Sequence, residues 1–398
     1  QGFSSNVGRL PALPARRAAA RVRVLMAARR RRAMLLHRAL ALAAAVGAVG
    51  SEDAPPRGHL EPFGGWSAGT PIEERPDVPE PEEFYTKYCA SDGGTGKPVV
   101  FRGAASGMGA ATHWATDDQL LERYKGEKVS QVEYNLKETR SGGNVPNMRT
   151  LGDFVQAYNA SDIYMVSSVP KGMLKDMDFL PCLRCGGFLR YLDVNHMWMG
   201  RGGSKSVIHY DDQDNINCML AGRKRFIFIH PSYKAKFEAH PNSKDNKFGW
   251  VDTDLDRSAK GYGAFMGNLD VDSVDLIKYS GWRDVQWSYV DMQPGDCVYI
   301  PYQWYHQVTA EPGRSINVHV WYWRPAKFDA ASCAADAAPA VSPTFADCSF
   351  GYEPPGGHLG VIPKGGRGKA PTRCGARGAG LPPGKARRRR RKGGGGEL

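Results

Sequence analysis

From about residue 196 the chain reads as one strand after another. "HMWMG", "SVIHYD", "NINCMLAG", "KRFIFIHP", "WSYVDM", "DCVYIPY", "YHQVTAE" and "SINVHVWYW" follow in order, most of them separated by short turns. Turn signals sit between them: "AGR" at 221–223, "QPGD" at 293–296 and "EPGR" at 311–314. No helical period of useful length lies between the strands. A parallel sheet needs crossover helices, so this pattern excludes one and calls for a double-sheet barrel or jelly roll. Residues 232–286 interrupt the series as a Lys/Asp-rich excursion with scattered aromatics, expected to hold little regular structure.

The stretch before the barrel mixes types. Strands are expected at 97–104, 128–135 and 162–170. Helices are expected at 116–126, capped by Thr116 with acids in its first turn, and at 149–159. Residues 51–82 are rich in Pro, Gly and acids and read as an extended lead-in that drapes on the body through Phe63 and Trp66. Residues 326–398 are Ala/Gly/Pro-rich, end in a basic run, and are expected to be largely disordered. That leaves 83–325 as one body, mainly β with a mixed α/β N-terminal part.

The net charge of +12 invites a reading as a nucleic-acid or membrane binder until the charge is located. Residues 1–50 carry ten Arg and no acid, and 351–398 carry twelve Lys/Arg against two acids, so each end is +10 and the middle is −8. The body is acidic and is not expected to bind nucleic acid specifically. The basic tail is suited only to non-specific binding of anions. Residues 26–50 have a basic start, an apolar run near 39–49 and small residues before Ser51. That is the layout of a secretory signal peptide; a transit peptide or a composition-biased leader is the alternative. No other stretch approaches the roughly 20 apolar residues of a membrane span.

Eight cysteines are present. The only close pair, Cys182 and Cys185, lacks the second half of a zinc ribbon, and in an oxidising lumen it reads as a local disulfide. Cys218 and Cys297 lie in apolar runs and read as small core residues. Asn159-Ala160-Ser161 is a glycosylation acceptor, relevant only if the chain is secreted.

The chemistry concentrates in "SVIHYDDQDN" (206–215). On a strand, residues two apart share a face, so His209 and Asp211 point the same way. One His-x-Asp is weak evidence: the lead-in holds the look-alike His59-Leu60-Glu61. A third ligand on another strand is needed, and His306, just after "GDCVYIPYQWY", is the best placed. Two His and one Asp occupy one face of an Fe(II) and leave the rest open, as an oxygenase requires. Lys224 opens an apolar strand after a tight turn. Inside a barrel it would need an anion; outside, it would form a solvated hairpin tip with Arg223 and Arg225. Composition does not choose between these. His319 points inward if "SINVHVWYW" alternates, and His196 reads as a core or rim histidine.

Taken together, "SVIHYDDQDN", "LAGRKRFIFIHP", "PGDCVYIPYQWYHQV" and "INVHVWYW" resemble the JmjC/cupin-like Fe(II)- and 2-oxoglutarate-dependent dioxygenases over about 97–325, on the side of the asparaginyl hydroxylase that inhibits hypoxia-inducible factor. The resemblance implies a double-stranded β-helix with His209, Asp211 and His306 as iron ligands. It implies Lys224, Ser206 and Tyr164 on the distal carboxylate of 2-oxoglutarate, Asn215 near that cosubstrate, and Trp321 closing the barrel behind it. Strict alternation puts Ser206 on the other face from His209, so its role requires a local bulge. His319 stands where the hydroxylase has Asn, which alters hydrogen bonding near the cosubstrate. The implied chemistry uses O2, converts 2-oxoglutarate to succinate, and hydroxylates a protein side chain, or an N-methyl group that then leaves as formaldehyde. Three readings follow: a protein hydroxylase of the secretory pathway, either in the endoplasmic-reticulum lumen or secreted; a nuclear JmjC lysine demethylase, with "KARRRRRK" (385–392) as nuclear signal; or a silent cupin-like binding module.

Overall fold

The computed structural model of the chain describes residues 54–63, 65–134, 137–138, 145–239, 244–249, 269–334, 341–352 and 374–375. The expected leader (1–50) and the basic run at 385–392 lie outside them, as does most of the loop at 135–144. Residues 1–56 separate from 57–398 as a unit of their own, and the fold described below is that of 57–398.

Fourteen strands are seen among the described residues. They are β1 (Thr70–Pro71), β2 (Glu73–Arg75), β3 (Val99–Phe101), β4 (Val132–Tyr134), β5 (Lys137–Glu138), β6 (Ile163–Ser167) and β7 (Leu192–Gly200). The barrel series continues with β8 (Lys205–His209), β9 (Asp214–Ala221), β10 (Lys224–Ile229), β11 (Ser288–Met292), β12 (Cys297–Ile300), β13 (Tyr305–Ala310) and β14 (Ser315–Tyr322). They form a six-stranded sheet, β1-β11-β10-β13-β8-β5, and an eight-stranded sheet, β2-β3-β12-β9-β14-β7-β6-β4. From β8 to β14 the chain passes from one sheet to the other at every step except β10 to β11, which pair within the six-stranded sheet, and most pairs are antiparallel.

Alternation builds three apolar layers. Phe226 and Phe228 of one sheet meet Met219, Val298 and Ile300 of the other in the space between them. The outer face of the eight-stranded sheet, with Ile216, Val318, Val320 and Tyr322, is covered by the N-terminal segments through residues such as Phe84, Phe154 and Leu183. The outer face of the six-stranded sheet, with Ile208, Ile227 and Ile229, is covered by Phe237, Val271, Leu276 and Trp282 and by Phe63 of the lead-in. In the excursion at 232–286, residues 240–243 and 250–268 lie outside the described residues, and the described parts hold only short helices as regular structure, Lys234–Phe237 and Ser280–Asp284 among them. Those parts nonetheless form an apolar wall.

Local signals fix the smaller elements. Helices Asp117–Tyr124 and Leu151–Ala157 each begin in a capping box, on Thr116 with Gln119 and on Thr150 with Asp153. The chain crosses from β9 in one sheet to β10 in the other at Gly222, whose φ is +75° and where a Cβ would meet the Arg314 carbonyl oxygen at 2.5 Å. Lys224 opens β10 directly after this crossing, in register with Met292 of β11 and Ala310 of β13.

The cysteines depart from the sequence expectation. Cys185 bonds to Cys333, 148 residues away, and Cys182 is a free buried thiol. Asp329 N–H donates to the Gly186 carbonyl, which brings the segment carrying Cys333 back to Cys185. Cys218 and Cys297 are in the core as expected, but as directly opposed partners on β9 and β12 they are also bonded to each other. Cys348 bonds to Cys374. Within the Ala/Gly/Pro-rich segment, residues 341–352 pack on the body: Phe345 is buried against Phe179, and Phe345 N–H donates to the Met177 carbonyl.

Candidate metal centre

His209 ends β8 and His306 lies on β13, directly opposite it in the antiparallel ladder. Their rings are 4.2 Å apart between centroids. His209 Nδ1 lies 2.7 Å from the Val207 carbonyl oxygen and His306 Nδ1 lies 2.9 Å from that of Trp304. A carbonyl only accepts, so each Nδ1 carries the proton and each Nε2 presents a lone pair. Asp211 follows β8 by two residues, with Oδ2 3.8 Å from His306 Nε2. One ligand atom from each of the three residues lies within 4.8 Å of the others. Two neutral imidazoles and one carboxylate converging from one side fit a divalent first-row cation with open positions.

Asp211 is held from behind. Trp321 Nε1 donates to Oδ2 at 2.9 Å and Asn215 Nδ2 donates to the same oxygen at 3.2 Å. Burial alone would raise this carboxyl, but His306 and His209, with the two N–H donors, hold it below the usual carboxylate range. The main chain of Asp211 is clamped as well: its carbonyl accepts from Gln303 N–H at 2.8 Å. Gln303 sits at φ +63°, a left-handed conformation uncommon for a non-glycine residue, in the turn between β12 and β13.

The remaining predicted residues line the same interior. Lys224 shares the inner face of β10 with Phe226 and Phe228 and is 5% exposed, while Arg225 faces out beside Asp291. Its Nζ donates to the Tyr164 hydroxyl at 3.0 Å. Ser206 is brought to the inner face by a bulge. Ser206 pairs with Val308 and His209 with His306, so β8 spends three residues where β13 spends two. Asn215 and His319 are buried within hydrogen-bond distance of each other, Asn215 Nδ2 lying 2.9 Å from His319 Nδ1. Of the nine predicted residues, contacts join Asp211 with Asn215, Trp321 and His306, Asn215 with His319, and Lys224 with Tyr164, while His209 faces His306. Among the described residues, no other group of three His, Cys, Asp or Glu has this spacing.

Four contributors were not named from sequence: Gln303, Asn217, Asn317 and Trp198. The inward alternation of "NINCM" and "SINVHVW" could have flagged the two asparagines; a turn residue at positive φ leaves no such trace. Trp198 packs between Tyr164 and His319, with ring centroids 5.6 and 5.7 Å away. His196 also faces this interior, against Trp321, and burial pushes it down to about 4.

A jelly roll that carries a two-histidine, one-carboxylate cluster and a buried inward lysine is a barrel of the cupin type. The cupin-like domain family matches residues 81–328, well over half of the chain, and the chain belongs to that family, in its JmjC branch. Some of its relatives carry JmjC names and others are named lysine-specific demethylases. The Drosophila melanogaster Jumonji C domain-containing protein 5 is 30% identical over 125 residues, which are 31% of this chain and 26% of the fly protein. The human bifunctional peptidase and (3S)-lysyl hydroxylase JMJD7 is 26% identical over 137 residues, 33% of this chain and 42% of that one. Danio rerio lysine-specific demethylase 8 is 23% identical over 266 residues, 63% of this chain and 59% of that one. The chain thus spans less than two thirds of the length of each of these relatives. No helix among the described residues is long and apolar enough to cross a membrane.

Proposed function

We propose that the chain is an Fe(II)- and 2-oxoglutarate-dependent oxygenase that hydroxylates a protein side chain in the secretory pathway. The observation that carries the reading is the placing of His209, Asp211 and His306 on the same interior as the Lys224–Tyr164 pair. Iron bound there would supply the redox chemistry with O2 that side chains lack. The chain's own groups do the rest. His209 and His306 offer fixed Nε2 lone pairs, and Asp211 offsets part of the metal's charge. Lys224 and Tyr164, with the Ser206 hydroxyl on the same face, form the end of the cavity suited to a carboxylate. Phe226, Phe228 and Met219 line the space between the sheets and keep bulk water out.

The compartment is supported by three disulfides, which persist in oxidising surroundings and are rare in the cytosol and nucleus. Asn159 is exposed in the turn after helix Leu151–Ala157, where a glycosyl acceptor would need to be. The second reading, a lysine demethylase, is favoured by the name of the zebrafish relative. The two differ in product: a hydroxylase adds about 16 Da to its substrate, and a demethylase removes about 14 Da and releases formaldehyde.

The test is succinate formation from 2-oxoglutarate by the full chain with Fe(II), compared with Asp211→Ala. Turnover in the wild type and loss in the variant is expected. A folded wild-type chain that neither binds the metal nor forms succinate would leave the silent cupin-like module standing instead.

A further inference from the structure

Behind Asp211, four buried polar side chains run along the inner face of the eight-stranded sheet. Asn215 and Asn217 come from β9, and Asn317 and His319 from β14. All four are buried, and the ladder sets His319 opposite Asn217 and Trp321 opposite Asn215. The chain of contacts alternates between strands. Asn215 Nδ2 lies 2.9 Å from His319 Nδ1, Asn217 Nδ2 lies 2.6 Å from His319 Nε2, and Asn317 Nδ2 lies 3.3 Å from Asn217 Oδ1.

Two amide nitrogens cannot both donate to one neutral imidazole, which has one N–H and one lone pair. The two ends of an amide are told apart only by their partners, and here the carboxylate decides. The Asn215 atom that faces His319 also faces Asp211 Oδ2, at 3.2 Å. A carboxylate accepts and cannot donate, so that atom is the NH2. One of its hydrogens goes to Asp211 and the other to His319 Nδ1. His319 then carries its proton on Nε2, and Asn217 must turn its oxygen toward it. The Asn217 NH2 then faces the Asn317 amide atom 3.3 Å away, so the Asn317 amide turns as well and accepts there through its oxygen. The opposite tautomer would require oxygen on the shared Asn215 atom, facing Asp211 oxygen to oxygen, at the cost of a buried unsatisfied pair. A doubly protonated ring is excluded because burial, with Lys224 nearby, holds His319 well below the ordinary histidine range.

We propose that His319 is a positioning residue for Asp211: as the Nε2–H tautomer it locks the Asn215 amide with its NH2 on the carboxylate. Asp211 Oδ2 is thereby held by two N–H donors, Asn215 and Trp321, before any metal arrives. The inference goes beyond the proposed oxygenase activity. It rests on that reading only in taking Asp211 as the group worth holding.

The test has two parts. In the metal-free full chain labelled with 15N-histidine, two-bond proton–nitrogen correlations report the tautomer of each ring, and His319→Gln identifies the signal. His319→Asn serves if the Gln variant does not fold. The expected result is an Nε2–H ring; an Nδ1–H or charged ring overturns the proposal. Second, Mn(II) affinity is measured for the wild type, His319→Gln, Asn215→Ala and the double variant. Each single change is expected to weaken binding about tenfold, and the double variant no further, because both remove one restraint. Losses that multiply, or an unchanged affinity in His319→Gln, overturn it. A wild-type chain that binds no Mn(II) counts against the metal reading, while the tautomer still decides this one.

Discussion

His209 and His306 face each other directly across the β8–β13 ladder, 4.2 Å apart between ring centroids, each with Nδ1 on the carbonyl two residues before it. The pair is preset: neither ring has to rotate or change tautomer to offer Nε2 to a cation. Binding should therefore stabilise the fold. At a hundredfold excess over Kd the linkage term is about 2.7 kcal/mol, or about 5–10 °C in Tm for a domain of this size. Mn(II) or anaerobic Fe(II) should raise the wild-type Tm by that amount, a chelator should reverse it, and His306→Ala should show no shift. An equal shift in the variant would place the metal elsewhere.

Lys224 is a buried cation whose Nζ meets the Tyr164 hydroxyl at 3.0 Å. Removing one partner of a buried charge pair costs about 2 kcal/mol or more. Lys224→Met should therefore raise the KM for 2-oxoglutarate at least about thirtyfold. The loss of one neutral hydrogen bond in Tyr164→Phe, worth about 1 kcal/mol, should raise it about fivefold. Because a methionine fills the same space without a charge, the metal-free Lys224→Met chain should melt no lower than wild type. Unchanged 2-oxoglutarate affinity in Lys224→Met would remove the lysine from the site.

The succession of strands and the shared face of His209 and Asp211 were legible because both rest on two-residue periodicity, which a sequence displays directly. The β8 bulge was expected only through the resemblance, which gave Ser206 a role that strict alternation with His209 would deny it. Lys224 was not settled by composition, because a lysine after a tight turn is equally at home in solvent. Its direction follows from Phe226 and Phe228 on the same face, set against Ile227 and Ile229 on the other. Gln303 was invisible, because its clamp on Asp211 joins turns 92 positions apart in sequence and depends on a backbone angle rather than a residue type. The disulfide partner of Cys185 was equally hidden: proximity in sequence favoured Cys182, whereas the return of residues 329–333 to Gly186 brings in Cys333.

His196 faces the barrel interior, where burial lowers it from 6.5 to about 4. Between those values the unfolded chain holds the extra proton and the folded chain does not. The contribution of the neutral ring is therefore complete above pH 6.5 and is lost as pH falls toward 4. Between pH 7 and pH 4.5 this single group removes about 2 kcal/mol of stability. His319, also held low by burial, acts in the same direction over this range, so the wild-type slope is steeper than one proton. The Asp211 contribution is lost only below the ordinary carboxylate range. Urea denaturation at the two pH values should show His196→Gln losing about 2 kcal/mol less than wild type. A variant with the wild-type slope would mean that the His196 ring titrates normally in the folded chain.

The cysteines give the compartment a count that can be measured. Three bonds account for six of them, Cys185–Cys333, Cys218–Cys297 and Cys348–Cys374, and leave Cys89 and Cys182 as thiols. Both thiols are buried, and desolvation pushes each far up, so neither reacts while the chain is folded. Protein taken from its own cells with thiols trapped should take up no alkylating label when folded, two when unfolded without reductant, and eight after reduction. The two labels should map to Cys89 and Cys182. A label on Cys333 would restore the Cys182–Cys185 pairing that sequence proximity favours, and eight labels without reductant would mean a reducing compartment and favour the nuclear reading. The long bond also carries stability, because Cys185–Cys333 closes a loop of 148 residues in the unfolded chain. Cys333→Ser should cost about 2–5 kcal/mol, read as a lower denaturant midpoint, while leaving His209, Asp211, His306 and Lys224 in place.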